Sequence, residues 1–516
     1  MKRRYRRPFG QTLGVYVRQR SWARRRITQR QPDSITLAAT MHILIAGAGF
    51  AGLASALTLA RAGHRVTLVE RDSFETGHHE HAANWTRRGI AHFLQPHAFL
   101  PRGRRELIHL FPDVYQVLLR AGASDFSAAD KIQGRRIPED DELVYLSVRR
   151  PVIEWALRNA VLSNPNVSVF CNTRIADVLI ERGGVPKVFG IATDTGETIT
   201  ADLVVDALGR NTPFPAKLAS VGCNLRTEST NSEIIYYSRY FRMFTGKQFP
   251  RGPWLVTPRG DLGYAAFSTF TGDNGTFALL LAIGSWDREL RVLQNEGAWN
   301  AVAAAIPTLA PLVDPHFATP ITGVLPMGEL QNTLRHYVEF GDACVRGFVP
   351  VGDTVCHTDP TFALGLSFAL IHARALRDAI QGAATPDQIL PAYWKAIYPE
   401  TRERYDYVVA ADEARAAKWQ GAELDQFHAD GCFPLFTMAA TAMAAQRDDE
   451  IFRKTLRRMG FLDRLSVFDH DTRLHRRIEQ IVEDLMKTHR ISKTISRARL
   501  LKLANKAAER QSAVLR

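Results

Sequence analysis

The chain has 516 residues, 46% of them apolar and 23% charged, the proportions of a soluble globular protein with length for two or three domains. Its formal charge of +13 does not make it a nucleic-acid binder, because the bases are concentrated at one end. Residues 1–40 hold eleven Lys or Arg against the single acid Asp33, a net of +10, while the other 55 bases nearly balance 52 acids.

Such a basic, helix-poor arm is expected to be disordered. Paired arginines at Arg6-Arg7 precede an apolar run, Thr12–Val17, that is too short for an export signal. The arginine-rich, acid-poor composition also fits an organelle presequence; a simpler reading puts the natural start at Met41, directly before the first strand. Five scattered cysteines, with no C-x-x-C pair, suggest neither a disulfide framework nor a zinc site and fit a reducing cytoplasm.

Met41–Asp72 reads as an apolar strand, a glycine turn, an alanine-rich helix, a second strand and then Glu70. The turn is Gly47-Ala48-Gly49-Phe50-Ala51-Gly52, in the strand–turn–helix context that a dinucleotide needs. Gly47 permits the tight turn, Gly49 lets backbone approach a pyrophosphate, and Gly52 lets helix pack on strand. Glu70 stands at the spacing of a carboxylate that takes ribose hydroxyls, and its neighbour Arg71 joins the cofactor-binding set. The apolar run Ile43–Ala60 mimics a membrane span, but its glycines argue for a buried strand and helix.

Further on, Glu75–Arg88 is polar and histidine-rich and reads as a solvated loop, with no metal assigned to His78, His79 and His81. Gly103–Ala121 has the period of one helix. Glu142–Val148 alternates like a strand, and Pro151–Leu162 reads as a helix with proline in its first turn. Four short strands follow between Val167 and Ala207. Asn231–Leu281 is rich in strands and aromatic residues without βαβ spacing, which predicts an inserted antiparallel sheet. Phe348–Asp353 returns to a buried strand, Gly365–Ile380 is a long apolar helix, and Pro391–Arg516 reads as helices.

Three ordered motifs resemble the FAD-dependent monooxygenases with a single glycine fingerprint, typified by the aromatic hydroxylases. They are Gly47–Gly52 with Glu70, Asp202–Arg210, and Val351-Gly352-Asp353 followed by Pro360–Gly365 and a helix. In the second, Ala207-Leu208 separates Asp206 from Gly209; in the third, Ala363 stands where the family usually has glycine. The resemblance implies an α/β fold: a Rossmann-like FAD-binding domain, an inserted β-rich substrate domain and a helical C-terminal extension. The expected boundaries are 1–40 for the arm, 41–220 and 331–390 for the FAD-binding domain, 221–330 for the insert and 391–516 for the helical region.

By the same resemblance, Asp206, Gly352, Asp353, Leu364 and Gly365 join the FAD contacts. Asp353 also stands on its own, since a carboxylate ending a buried strand needs hydroxyl or amide donors. Arg150, in an arginine-then-helix segment, matches a phosphate or flavin contact, with Arg149 expected at the surface. Ile175 matches a position packed on adenine. Gly89–Leu100 resembles the stretch approaching the flavin, which makes His92, Gln95 and His97 candidate polar groups, with His92, His97 and Pro360 the catalytic candidates. Tyr237, Tyr240, Phe241, Trp254, Tyr264, Phe267 and Phe270 are candidates to line a substrate cavity, against the ordinary reading of such a stripe as core.

The implied activity is insertion of one atom of O2 into a small apolar or aromatic substrate through a C4a-hydroperoxyflavin. No second glycine fingerprint follows residue 220, so electrons are expected from NAD(P)H visiting the single flavin domain or from a separate flavin reductase. The paired-tryptophan segment of the flavin halogenases is absent. Two rivals stay open: a flavin-dependent reductase or dehydrogenase of lipid-like substrates, and a non-catalytic flavin-bearing assembly protein. Arg490, Lys493, Arg497, Arg499, Lys502 and Lys506 suggest a membrane-facing basic helix, against which a solvated helix face is preferred.

Overall fold

The computed structural model describes residues 40–85, 87–90, 92–488 and 494–514. The basic arm up to Ala39 lies outside the described residues.

The chain opens with β1 (His42–Ala46), α1 (Phe50–Arg61) and β2 (Arg65–Val69). After a long excursion come α2 (Arg150–Leu162), β3 (Val167–Phe170) and β4 (Leu203–Asp206). The insert carries β5 (Ile234–Met243), β6 (Ala265–Thr271), β7 (Thr276–Gly284) and α3 (Glu296–Ala305). The chain returns through β8 (Gln331–His336) and β9 (Phe348–Pro350) to α4 (Gly365–Gly382), then α5 (Ile389–Trp419) and, last, α6 (Arg497–Val514).

The central sheet runs β9-β4-β1-β2-β3, all parallel. Residues 43–46 of β1 are buried on both faces, as a parallel strand sandwiched by helices must be. Its register levels the strand ends: Ala46 pairs with both Val69 and Asp206, and Asp206 with Pro350. The turns that follow these strands therefore emerge side by side at one edge. β1 is the switch point, with β2 on one side and β4 on the other, where an open α/β sheet leaves a crevice.

The insert is antiparallel, with β5 and β7 paired from Ile234–Gly284 to Arg242–Thr276. One face of this sheet, through Tyr237, Phe241 and Phe267, packs with Trp299 of α3 and with Leu500 and Ala504 of α6. The apolar side of the C-terminal helix is thus covered by the insert. Arg497 pairs with Asp287 at 2.8 Å and Glu289 at 2.7 Å; Arg490 and Lys493 lie outside the described residues. Among the described residues no helix is long and apolar enough to cross a membrane.

Two further expectations change. The single helix over 103–121 is two, Pro101–Leu110 and Pro112–Arg120, because proline at 112 cannot donate to the preceding turn and starts a new helix instead. The 75–88 stretch is not wholly solvated. His79–Asn84 forms a short 3-10 turn, and Ala82, Trp85 and Phe93 make a small buried cluster with Trp155 of α2 against it.

Candidate functional site

The glycine turn is built as its three glycines demand. Gly47 has φ +96°, and a Cβ there would sit 2.9 Å from Ala207 O. A Cβ on Gly52 would lie 1.9 Å from Gly47 O and 3.3 Å from Ala207 Cβ, so helix, turn and the segment after β4 interlock at this point. Gly49 differs: only Ile90 Cδ1, at 3.5 Å, approaches its Cβ position, and the residue opens onto a cleft.

Behind the turn lies a buried charge network. Glu70 Oε2 accepts from Ala48 N–H at 2.8 Å and from Arg87 Nη2 at 2.9 Å, while Oε1 accepts from Asp72 N–H at 2.9 Å. Arg87 continues to Asp72 at 3.1 Å and to Glu154 at 2.9 Å, and Glu154 is shared with Arg150 Nε at 2.9 Å. Burial alone would raise the Glu154 pKa, but Arg150, Arg87 and Arg158 hold it below the usual carboxylate range. Glu70 thus fixes the backbone of the turn.

The opposite wall follows β4 and β9. Asp206 is fully buried; burial pushes it up to about 6, while Thr212 Oγ1 at 2.6 Å and Leu208 N–H at 3.0 Å bind it. It shapes the Ala207–Asn211 turn, which lines the cleft. Gly352 has φ +61°, a left-handed conformation that suits glycine, and its N–H donates to His372 Nδ1 at 3.0 Å. Asp353 lines the cleft and accepts from His357 Nδ1 at 3.3 Å. Burial would raise its pKa, but the His357 bond, with His92 and Arg150 nearby, holds the carboxyl far below its ordinary value. Asp359 then N-caps a short turn, Pro360–Phe362, that leads to α4. Ala363 has φ +54° and ψ 32°, a left-handed conformation that favours glycine and strains an alanine.

The third wall is the Arg88–Ala98 segment. His97 Nδ1 donates to Gln95 O at 2.8 Å, and its Nε2 receives Arg150 Nη1 at 3.4 Å, so the ring is a fixed neutral tautomer. Burial and Arg150 push its pKa down to about 3. The His92 ring lies 5.8 Å away and is driven well below its ordinary value by burial and Arg150. Gln95 is clamped to the insert, accepting from the Ser238 hydroxyl and donating to Leu325 O at 3.2 Å.

The cleft therefore gathers Gly49, Phe50, Ala51, Arg71, His92, Gln95, His97, Arg150, Gly352, Asp353, Pro360, Leu364 and Gly365 on one surface. Gly47, Ala48, Gly52, Glu70 and Asp206 stand behind that surface and shape it, and Ile175 lies in a separate three-stranded sheet away from it.

Of the aromatic candidates only Phe270 reaches the cleft wall. Alternation along the strands sends Tyr237, Phe241 and Phe267 into the core beneath α3, with Tyr264 packed against it, and Tyr240 donates to Gln95 O at 3.3 Å behind the wall. Trp254 sits in a loop whose carbonyl accepts from Lys131. Arg149 is a correction: it is buried, with Nε and Nη2 on the Asp273 carboxylate at 3.0 and 2.7 Å. The ligand atoms of His78, His79 and Glu80 lie within 4.8 Å of one another on the surface.

Sequence reasoning missed Arg87, His357 and Arg210. Arg87 lay in a stretch read as loop, and its partners are 15 to 67 residues distant. His357, four residues beyond Asp353, is within reach of a local signal, since that spacing lets a histidine return to a strand-end carboxylate.

The residues fit a bound FAD. Gly49 offers bare backbone at the N-terminus of α1, where N–H groups and the helix dipole attract phosphate. Arg71, Arg88 and Arg210 line the cleft, and their guanidinium groups have no acidic partner among the described residues. Asp353 provides an ionised acceptor for sugar or ribityl hydroxyls.

Residues 42–137 match the family model described as FAD dependent oxidoreductase. The matched segment holds β1, the glycine turn, α1 and β2. Protein Rv3254 of Mycobacterium tuberculosis (strain ATCC 25618 / H37Rv) is 28% identical over 375 residues, 66% of this chain and 73% of that one. Among solved structures, PqsL of Pseudomonas aeruginosa, described as a probable FAD-dependent monooxygenase, aligns with TM-score 0.53 and 16% identity. The alignment covers 73% of this chain and 97% of PqsL. The flavin-dependent brominase Bmp2 aligns with TM-score 0.52 and 16% identity over 86% of this chain and 98% of Bmp2.

Proposed function

We propose that the protein is an FAD-dependent monooxygenase that adds one atom of O2 to a small apolar or aromatic molecule. Electrons would come from NAD(P)H directly or through a separate reductase. The observation that carries this reading is the composition of the wall. From residues 221–330 only Phe270, Met327 and Leu330 reach the cleft, all apolar, and they face the site that α1, Asp353 and α4 offer to the cofactor.

Bound FAD would supply the two-electron chemistry with oxygen. The chain's own residues have distinct tasks. Backbone N–H groups at Gly49–Ala51 hold the pyrophosphate, and Asp353 takes hydroxyl donors. Free N–H groups at the start of α4 favour negative charge on the reduced ring. The apolar insert wall keeps water from the reacting atoms and orients a substrate by shape. Both His97 nitrogens are engaged, so it holds Arg150; His92, neutral and without such bonds, presents an imidazole to the cleft that can hydrogen-bond a substrate.

PqsL has been solved in complex with 2-aminobenzoylacetate, and a small aromatic molecule of that kind suits this wall. The five cysteines are free, which fits a cytoplasmic setting. The test is oxygen uptake by the FAD-loaded protein with NADH, NADPH or a flavin reductase, across phenols, terpenoids and polyketides. Substrate-dependent uptake with an oxygenated product supports the reading. Turnover that proceeds equally without oxygen overturns it in favour of a reductase.

A further inference from the structure

A buried polar cluster behind the cleft ties helix α5 to the turn in front of α4. Tyr236, Asn332, Asp359, Asp412 and Arg415 are each 7% exposed or less. Asp359 is the centre. Its Oδ1 accepts from the Tyr236 hydroxyl and from Thr361 N–H at 3.1 Å. Its Oδ2 accepts from the Thr361 hydroxyl at 3.0 Å and from Arg415 Nη1 at 3.1 Å. Arg415 Nη1 also meets Asp412 Oδ1 at 2.8 Å, and its Nη2 donates to Ser232 O at 2.7 Å. Asn332 closes the ring, donating to Asp412 Oδ2 at 2.7 Å and accepting from Asp359 N–H at 2.6 Å.

The place of this cluster matters more than its size. Asp359 directly precedes Pro360, a cleft residue, and the turn it caps runs through the left-handed Ala363 into Gly365 and α4. A strained backbone of that kind persists only where its surroundings determine it. Asp359, with donors on both oxygens, leaves the turn one position to occupy.

We propose that Arg415 is a positioning residue for the cofactor: through Asp359 it fixes the Pro360–Leu364 turn, and with it the start of α4, where bound flavin must lie. The inference rests on the reading of the cleft as an FAD site. It assigns to the helix beyond the FAD-binding region a direct part in the geometry of that site.

The test compares the full-length chain with Arg415→Met, Arg415→Lys and the charge-free pair Asp359→Asn with Arg415→Gln. The pair removes both charges, and burial, which already pushes the remaining Asp412 carboxyl up to about 9, keeps it neutral, so the protein stays folded while the clamp is gone. Three readouts apply: amide exchange at Thr361 without FAD, FAD dissociation, and the visible spectrum of the bound flavin. Arg415→Met and the charge-free pair should speed exchange at Thr361, alter the spectrum and weaken FAD by about ten- to a hundredfold, the scale of one lost hydrogen bond to a charged group. Arg415→Lys should recover part of each.

Wild-type exchange and spectrum in the charge-free pair, with only a lower melting temperature, would reduce Arg415 to scaffold and overturn the proposal alone. A wild-type chain that takes up no FAD would overturn the cofactor reading and this inference together.

Discussion

Gly52→Ala gives the sharpest test of the cofactor turn, because two effects of opposite sign compete there. In an ordinary helix interior, alanine is better than glycine by about 1 kcal/mol. At position 52 the new methyl carbon would lie 1.9 Å from Gly47 O. Bringing that contact to the 3.0 Å limit of real carbon atoms means moving α1 and the glycine turn apart by about 1.1 Å, an overpacking cost of about 1–3 kcal/mol. Retreat of the turn is opposed on its other side, because Gly47 already packs against Ala207 O. The net expectation is a loss of up to about 2 kcal/mol in the apoprotein. The separation acts on the N–H groups that would hold the pyrophosphate, and losing one charge-assisted bond of about 1.5–3 kcal/mol weakens FAD by about ten- to a hundredfold. Thermal melting of the apoprotein and FAD titration by fluorescence quenching measure both quantities. A variant that melts higher than wild type and binds FAD equally well would refute the interlocked turn.

Gly49→Asp should leave apoprotein melting near wild type, since only Ile90 approaches that position, yet give colourless protein; a stoichiometric yellow variant would contradict the phosphate site. Asp353→Ala should weaken FAD retention without unfolding the chain, and unchanged affinity by dialysis would remove Asp353 from the site. Arg87→Leu strands Glu70 and Glu154 without their shared cation, a cost of about 3–5 kcal/mol seen as a large fall in denaturation midpoint. The buried imidazoles predict acid lability. Burial pushes His372 and His97 down to about 3, so below about pH 6.5 the unfolded chain binds protons that the folded chain refuses. Their contribution is fully present above that pH and falls away as pH drops toward 3. His372→Asn keeps an acceptor for Gly352 N–H and should flatten this slope; an unchanged melting profile between pH 4 and 7 would refute the assignment.

The α/β core and the glycine turn were legible in the sequence because their causes are local: apolar period, glycine spacing and a carboxylate at a strand end. What was not legible depends on pairings across the fold. Arg149 read as surface because its neighbour Arg150 took the cofactor role, yet Asp273 lies 124 residues away and neutralises it. The aromatic residues of the insert followed strand period, but the period does not say which face the helices cover. Trp299 and Leu500 decide that, so Tyr237 and Phe241 are core while Phe270 meets the cleft. Glu70 was expected to face ribose because its spacing fits, and the structure finds its oxygens on Ala48 N–H, Asp72 N–H and Arg87. Arg87 was the missing information.

The buried ion pairs have a common placement. Arg87–Glu154 anchors the Arg88–Ile90 wall to α2, Arg149–Asp273 ties the start of α2 to the insert, and Arg415–Asp359 ties the Pro360 turn to α5. Pairs this deeply buried contribute little net stability, since desolvation offsets much of their attraction. Directional charge instead fixes where one element stops against another, which apolar contact does only loosely. A cleft assembled from many separated stretches of chain must place an N–H group, a carboxylate and an apolar wall relative to one another to within a fraction of an ångström. The pairs stand at the junctions between those stretches, so replacing both partners of a pair should be felt in the flavin before it is felt in the fold, whereas removing one partner strands a buried charge and costs stability.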